Sequence, residues 1–383
     1  MRIALFFSLF FLLFGSTGYY LYLRLTQAFS GTFVSSRWFL IVYIFLIISF
    51  LIGKIIEHFS IGFLSHALVS LGSITLGFFV YALMIIVAID FFRLINWIIP
   101  FFPGFITSNM QRSAFILGWI SIILVTIIVI KGYINAYSPR VNKVEITINK
   151  PKANFDSLNI VAISDIHLGT LVNESKLQRL INTVNALKPD VVIIAGDNID
   201  NNIKVVQQDK LLEHFKDIHS KYGIYSCMGN HEYISGAHHH LDYFAKNAVQ
   251  MLRDTAVFVG DRFYIIGRED ISAVRKTNHK RKDIGQLTEN LDFDYPVILL
   301  DHQPFKLEET AKYPIDLQFS GHTHNGQLWP FNYLTAKIFE QDWGYLKKKN
   351  THFYISAGFG TALIPMRLGS YSEIVSIRMV NRK

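Results

Sequence analysis

Seven side chains of metal-binding type directly follow short apolar runs in the second half of the chain. We interpret five of these runs as buried β-strands: residues 158–164, 191–196, 223–229, 296–301 and 316–321. The polar side chains that follow them are Asp165, His167, Asp197, Asn230, His302, His322 and His324. Ligands of open α/β sheets bind beyond the carboxyl ends of strands, so we expect these side chains to meet at one edge of the fold. Gly196, Gly229 and Gly321 precede polar members of the set and favour sharp turns with close backbone approach.

The chemistry of this set indicates a metal site. Oxygen and nitrogen ligands without a thiolate suit Mn²⁺, Fe or Zn²⁺ better than a sulfur-preferring ion. One tetrahedral ion needs fewer ligands, and two divalent cations that share one carboxylate account for the surplus. A lone G-D or D-x-H motif is more often a turn, but an ordered series in which each member follows its own strand favours a metal site.

The motifs also resemble those of a known family. D-I-H (165–167), G-D-N (196–198), G-N-H-E (229–232), H-Q-P (302–304) and G-H-T-H (321–324) closely resemble the calcineurin-like metallophosphoesterase superfamily. The extended G-H-T-H-N-G-Q (321–327) and P-M-R-L-G-S-Y-S-E-I (365–374) are most similar to its membrane-associated bacterial branch, some of whose members hydrolyse lipid-linked or nucleotide phosphodiesters and pyrophosphates. The resemblance covers residues 155–380 and implies an α/β fold, a two-sheet sandwich flanked by helices.

The resemblance implies a dinuclear site with two divalent metal ions. It assigns the first metal to Asp165, His167, Asp197 and His324, and the second to Asp197, Asn230, His302 and His322. Asp197 would be the bridge, and a hydroxide shared by the two cations would attack the phosphorus atom. The chain departs from that branch at Asn325, where glycine is usual. Asparagine tolerates left-handed backbone, so we expect the turn to be retained.

Three further residues are expected to act on the substrate or beside it. By resemblance, His231 donates a hydrogen bond or a proton to the phosphoryl or leaving oxygen, next to Asn230. Glu232 would orient His231. Arg367 either clamps a phosphate with its bidentate fork or forms a surface ion pair with Glu373.

The first 131 residues contain four long apolar stretches without acidic or basic residues. We predict four membrane spans, at about residues 3–23, 38–53, 67–89 and 113–130. Buried helices of a soluble domain are the alternative, but that domain would have almost no polar surface. Residues 94–112, which contain Pro100 and Pro103, are expected to form an interfacial connection.

We therefore predict a transmembrane region at 1–140 and a catalytic domain at 141–383. Basic residues in the short loops favour a multi-pass cell-membrane protein with a cytoplasmic catalytic domain. Cys227 is the single cysteine, which excludes an intrachain disulfide. The net charge of +8 suits anionic lipids and phosphate-bearing substrates, and we expect no nucleic-acid partner. The sequence does not determine the oligomeric state.

These observations favour a membrane-anchored hydrolase of phosphodiesters or pyrophosphates that acts on lipid-linked or nucleotide-type substrates. The alternative is a membrane-tethered metal-binding sensor without turnover. A transporter is disfavoured because Asp90 alone approaches an intramembrane ionisable position. Residues 331–350 combine aromatic residues with a lysine run and form either an amphipathic segment on the bilayer or an ordinary surface helix.

Overall fold

The computed structural model describes residues 2–277 and 280–382, with the side chains of the first helix from residue 12 onward. The chain separates into two compact units. The helical unit comprises Met1–Gly132 with Leu363–Pro365, and the strand-containing unit comprises Tyr133–Ala362 with Met366–Lys383.

The helical unit is built from long apolar helices. Its helices are α1 (Arg2–Ala28), α2 (Arg37–Phe59), α3 (Phe63–Ile98), α4 (Gly104–Thr107) and α5 (Met110–Tyr137), with a 3₁₀ turn at Phe33–Ser35. Among the described residues, α2, α3 and α5 are long and apolar enough to cross a membrane. The span at 3–23 falls in α1, but the side chains of residues 2–11 lie outside the described residues, so a fourth span stays a prediction.

The expected connection at 94–112 is shorter than predicted. Helix α3 continues through Ile98 and ends before Pro100, because a proline restricts the residue before it to extended backbone. Helix α5 already begins at Met110, so only the residues between the two helices connect them.

Helices α2 and α3 pack closely through glycines. A Cβ atom on Gly72 would lie 2.1 Å from the backbone nitrogen of Phe50, and one on Gly53 would lie 2.6 Å from that of Val69. Small residues let the backbones of membrane helices approach each other in this way. Large apolar side chains on the other faces, such as Ile123 and Ile127 of α5, are exposed, which suits a hydrocarbon solvent.

In the part of the chain that the structure describes, the strand-containing unit has two six-stranded sheets. The strands are β1 (Arg140–Ile148), β2 (Ser157–Ile163), β3 (Val191–Ile194), β4 (Ile224–Cys227), β5 (Val249–Leu252), β6 (Thr255–Val259), β7 (Phe263–Gly267), β8 (Val297–Leu300), β9 (Leu317–Ser320), β10 (Gly344–Lys348), β11 (Thr351–Ile355) and β12 (Glu373–Asn381). The first sheet has the order β1-β12-β2-β3-β4-β5 and the second β10-β11-β9-β8-β7-β6. Strands β2 to β5 are parallel, as are β7, β8, β9 and β11.

Short helices cover these sheets. They are α6 (Glu174–Ala186), α7 (Ile203–Gln208), α8 (Asn230–Ile234), α9 (Leu241–Lys246), α10 (Ala273–Thr277), α11 (Ile284–Thr288), α12 (Leu307–Thr310) and α13 (Asn332–Ile338), with 3₁₀ turns at Leu211–Asp217, Ala237–His239 and His324–Gly326. The segment 331–350 is therefore not one helix, because α13 ends at Ile338 and β10 pairs with β11. The predicted sandwich of two sheets flanked by helices is confirmed.

The core of this unit has layers that hold the sheets in place. Between the sheets, Ile160 and Ile193 of the first sheet pack in one cluster with Ile298 and Phe319 of the second. On the other face of the first sheet, α6 buries an apolar stripe, namely Leu177, Leu180, Ile181 and Val184. These layers fix the strand ends that carry the polar motifs.

Candidate metal centre

The five predicted strands end where the polar motifs begin. Strands β2, β3 and β4 belong to the first sheet, whereas β8 and β9 belong to the second, so the motifs come from two sheets instead of one open sheet. Backbone hydrogen bonds hold the motif loops side by side: Asp165 N donates to Gly196 O at 3.1 Å and His167 N to Asp197 O at 3.0 Å. Gly321 N likewise donates to His302 O at 2.9 Å. The tertiary fold thus joins loops that are far apart in sequence.

Left-handed backbone is concentrated in these loops. Five of the seven predicted ligands have positive φ: Asp165, His167, Asp197, His322 and His324. Such conformations are uncommon for non-glycine residues and persist where the surrounding structure enforces them, often at functional sites. Asn325 has φ 46° and ψ 46°, which confirms the prediction that asparagine would retain the turn expected of glycine.

Two glycines allow carboxylates to lie against the neighbouring loops. A Cβ on Gly229 would lie 2.2 Å from Asp197 Oδ1, and one on Gly321 would lie 2.2 Å from Asp165 Oδ2. No Cβ atom fits at such a distance, so any larger residue would displace a predicted ligand. The expected close backbone approach is confirmed at both positions.

The structure brings the predicted ligands together in groups. Potential ligand atoms lie within 4.8 Å of one another in each of three groups: Asp165 with His167 and His324, Asp197 with His302 and His322, and His167 with Asp200 and His231. In the first group, His324 Nε2 is 3.1 Å from His167 Nε2 and 3.6 Å from Asp165 Oδ1. His167 Nε2 is 3.9 Å from Asp197 Oδ2, which places Asp197 between the first and second groups.

His302 shows how well this arrangement suits a cation. Its Nδ1 is 2.7 Å from the carbonyl oxygen of Ala195, which only accepts, so Nδ1 carries the proton. Its Nε2 is 3.2 Å from both Asp197 Oδ2 and Asn230 Oδ1. In neutral His302 this nitrogen has a lone pair directed at two oxygen acceptors, an arrangement that requires either a proton or a metal ion. A backbone carbonyl behind a ligating histidine is also the usual way to fix its tautomer.

The charges of the site reinforce one another. Burial favours the neutral form of Asp197, but the imidazoles of His302, His231 and His167 hold the pKa of its carboxyl well below the usual range. Burial disfavours protonation of His302, yet Asp197 and other carboxylates raise its pKa well above the usual value. Asp197 is therefore an anion at neutral pH and can attract either a proton on His302 or a divalent cation.

Asp200 is a residue of this site that sequence reasoning missed. Its Oδ1 lies 3.5 Å from His167 Nδ1 and 3.6 Å from His231 Nδ1. His231 Nδ1 is also 2.6 Å from the backbone oxygen of Asp200 and therefore donates to it. Asp200 stands three residues after Asp197 in G-D-N-I-D, and this second acidic residue in the same loop was the available signal.

Glu232 differs from its expected role. Its buried carboxylate accepts hydrogen bonds from the backbone nitrogens of Gly229 (2.7 Å), Asp197 (3.0 Å) and Asn198 (2.8 Å). It therefore braces the loops that carry Asp197 and Asn230. The residue that contacts the His231 ring is Asp200. The Glu232 carboxylate instead accepts hydrogen bonds from backbone amides at the start of its own helix, α8.

Arg367 departs from one of its two expected roles. It is fully buried, and its guanidinium donates to Gly360 O, His324 O, Ser370 Oγ and His324 Nδ1. Burial lowers its pKa to about 10 despite the attraction of Asp165 and Glu373. Glu373 instead accepts from Ala357 N at 2.7 Å and from Tyr354. A surface ion pair with Glu373 is thus wrong, and the guanidinium contacts a predicted ligand instead of open solvent.

Comparison with known proteins agrees with this geometry. The family model described as calcineurin-like phosphoesterase matches residues 158–326. An uncharacterized metallophosphoesterase of Aquifex aeolicus is 32% identical over 249 residues, which cover 64% of this chain and 94% of that protein. The chain belongs to the calcineurin-like metallophosphoesterase family. The matched range contains all seven predicted ligands but not Arg367.

Two further proteins are similar in sequence to this metallophosphoesterase. An uncharacterized metallophosphoesterase of Campylobacter jejuni is 32% identical over 268 residues, or 69% of this chain and 70% of that protein. A transmembrane protein with metallophosphoesterase domain from Bos taurus is 33% identical over 276 residues, covering 67% of this chain. The alignment spans 61% of the length of the bovine protein. Family membership implies phosphoesterase hydrolase chemistry that uses divalent metals.

Proposed function

We propose that this protein is a membrane-anchored phosphoesterase that hydrolyses phosphodiester or pyrophosphate bonds with two divalent cations, Mn, Fe or Zn. The convergence of Asp165, His167, Asp197, Asn230, His302, His322 and His324 carries this proposal. The donor set fits hard-to-borderline cations, and the buried carboxylates of Asp165, Asp197 and Asp200 favour their binding. Residues 1–140 would anchor the protein, and residues 141–383 would carry the chemistry.

The chain's own residues would position the substrate around these cations. When bound, two divalent cations neutralise charge on phosphoryl oxygens and lower the pKa of a shared water. In its doubly protonated form, His231 would donate through Nε2 to the phosphoryl or leaving oxygen, while its Nδ1 proton stays engaged by the Asp200 carbonyl. Asn230 would contribute its amide at the same edge, and Glu232 would keep both residues in place. Arg367 would hold the loop that carries His324 through the backbone oxygen of that residue.

We favour a lipid-linked substrate over a soluble nucleotide. Apolar side chains of α13 form an exposed stripe at helical spacing, namely Phe331 (47% exposed), Leu334 (54%) and Ile338 (56%). Phe339, which follows this helix, lies with its ring 6.1 Å from the His322 ring, and Phe305 packs on Phe339 at 4.9 Å. An apolar surface beside a phosphate-binding site suits a substrate with a hydrocarbon chain.

The deciding experiment measures hydrolysis by the detergent-purified full chain. The protein is stripped of metal, reloaded with Mn²⁺ or Zn²⁺, and given a chromogenic phosphodiester, its matching monoester and an alkyl-chain phosphodiester in mixed micelles. We expect activity that returns with metal in the wild type and in an Asp242→Asn control, whose exposed carboxylate lies outside the site, but not in Asp197→Asn. Preference for the alkyl-chain diester supports the lipid-linked class.

Two other outcomes would each contradict part of this proposal. Full occupancy by two metals without turnover of any of these esters would contradict the hydrolase and favour the metal-binding sensor. Equal efficiency on soluble and alkyl-chain diesters would contradict the lipid-linked class while leaving the hydrolase intact.

We also propose that the strand-containing unit, which is the catalytic unit of this proposal, faces the cytoplasm. Lys143, Lys150 and Lys152 follow the last apolar helix, and basic residues near membrane segments favour the cytoplasmic side. Protease treatment of membrane vesicles of known orientation tests this: the catalytic unit should be digested in inside-out vesicles and protected in right-side-out ones. Protection in inside-out vesicles would reverse the assignment.

A further inference from the structure

The helical unit contains a cavity of about 760 Å³. Most of its lining is apolar and comes from α1, α2, α3 and α5, for example Leu21, Ile47, Phe79 and Leu117. An empty cavity of this kind would leave its lining side chains without dispersion contacts on one side. Within a bilayer, hydrocarbon is the material that would fill it.

One end of this cavity is charged. Arg24, Asp90, Arg93, Phe102 and Met110 line both the apolar cavity and a second cavity of about 390 Å³. The second cavity is completed by Leu94, Asn96 and Trp97. An apolar space that continues into a smaller one with charged residues in its lining has the shape of a site for an amphiphile, with the tail in the first and the head in the second.

The charged end carries an excess of positive charge. Asp90 accepts from Arg93 at 3.0 Å and from both Arg24 and Tyr20, so one carboxylate serves two guanidinium groups. Arg24 NH1 donates to Gln27 at 2.8 Å, but Arg24 Nε is buried and has no hydrogen-bond partner among the described residues. Guanidinium groups bind phosphate oxygens through paired N–H donors, and an unused donor in a partly dehydrated site favours an additional acceptor.

We infer that the helical unit binds an anionic lipid, with its hydrocarbon chain in the apolar cavity and its phosphate head between Arg24 and Arg93. Arg24 and Arg93 lie just beyond the predicted spans 3–23 and 67–89, at the level where lipid headgroups lie. The phosphate head of an anionic lipid would accept a hydrogen bond from Arg24 Nε, and its negative charge would balance the arginine charge that Asp90 leaves unpaired. A zwitterionic head would bring its own cation towards the two arginines. This inference does not depend on the proposed hydrolase.

Native mass spectrometry of the full chain tests the inference. The protein is released from mixed micelles that contain equal amounts of phosphatidylglycerol and phosphatidylcholine with identical acyl chains. We expect the wild type to retain phosphatidylglycerol with about tenfold preference, which corresponds to one decade in Kd. Arg24→Gln combined with Arg93→Gln should remove this preference. Arg112→Gln is the matched control, because Arg112 lines neither cavity.

Two further variants are expected to change lipid binding in opposite directions, which a general loss of folding would not do. Asp90→Asn removes the carboxylate that competes for the arginines, so phosphatidylglycerol binding should tighten by about threefold or more. Ala82→Trp fills the apolar cavity and should weaken retention of both lipids. Equal retention of the two lipids by the wild type, unchanged preference in the double arginine variant, or weaker binding by Asp90→Asn would each overturn the inference.

Discussion

In the helical unit one carboxylate, Asp90, lies between two arginines, whereas in the strand-containing unit three carboxylates lie among imidazoles. The first cluster has an excess of positive charge, and the second has an excess of negative charge when its imidazoles are neutral. The second arises at strand ends, where loops bring side chains together, whereas the first lies within helices α1 and α3. In both clusters, the charge that the protein itself leaves unbalanced indicates the kind of ligand: an anion for the first cluster and metal cations for the second.

The largest effect is expected from Asp197→Asn. This change removes the carboxylate that lies between the two ligand groups, so the site loses its main attraction for cations. We expect metal content to fall and metal-restored hydrolysis to drop by about 100-fold or more. Metal analysis beside the activity assay checks this, and the comparison fails if Asp197→Asn retains both metals with full turnover.

Arg367 tests whether a buried guanidinium supports the metal centre by holding the surrounding loops in place. Since Arg367 donates to the backbone oxygens of Gly360 and His324, Arg367→Gln should loosen the loop that carries His324 and weaken metal affinity by about 10- to 100-fold. Arg367→Lys should recover part of this affinity, and Arg378→Gln, an exposed control, should not change it. Metal titration followed by KM at saturating metal makes the measurement. A raised KM with unchanged metal affinity would instead restore the phosphate-clamp hypothesis.

The pH dependence of metal-free stability sharpens the comparison further. The folded-state pKa of His302 is raised by Asp197, so its stabilising contribution is fully present below the unfolded pKa of about 6.5 and is lost as pH rises through the folded value. Divalent metal binds the deprotonated ring, so metal should stabilise most at the higher pH.

Thermal unfolding of the stripped and reloaded full chain tests that prediction. We expect the midpoint of the stripped protein to fall between pH 6.5 and 9 by more than in the reloaded protein, and we expect His302→Gln to flatten this difference. Parallel pH curves for stripped and reloaded protein would contradict the assignment of His302 to the metal centre.

The smallest effect is expected on the surface of α13. Replacing Leu334 and Ile338 with serine removes apolar area without touching the predicted ligands, at about 25 cal/mol per Å² of area that a lipid would cover. Hydrolysis of the alkyl-chain diester should fall about 3- to 10-fold, while that of the soluble diester should stay unchanged. Tyr333→Ser is the control on a different face of this helix. An equal loss on both substrates would place the effect on folding instead of substrate capture.

Much of this site could be predicted because strand ends carry a local signature. Short apolar runs followed by Asp, His or Asn identified β2, β3, β4, β8 and β9 and the side chains beyond them. Asp200 was missed because its role depends on the distances to His167 and His231, which spacing along the chain does not encode. We expected Glu232 to orient His231, its neighbour in sequence, but Glu232 accepts hydrogen bonds from the backbone of Gly229, Asp197 and Asn198.

The sequence by itself determined the apolar helices, the order along the chain of the five strands that carry ligands, and the types of ligand available, because hydrophobic periodicity and side-chain chemistry are local properties. Only the tertiary structure decided that the ligands come from two packed sheets, that Arg367 is buried against His324, and that Arg24 and Arg93 share Asp90. These contacts join residues that are distant in the chain. Their free energy depends on burial and on the distances between charges, and both exist only after the chain has folded.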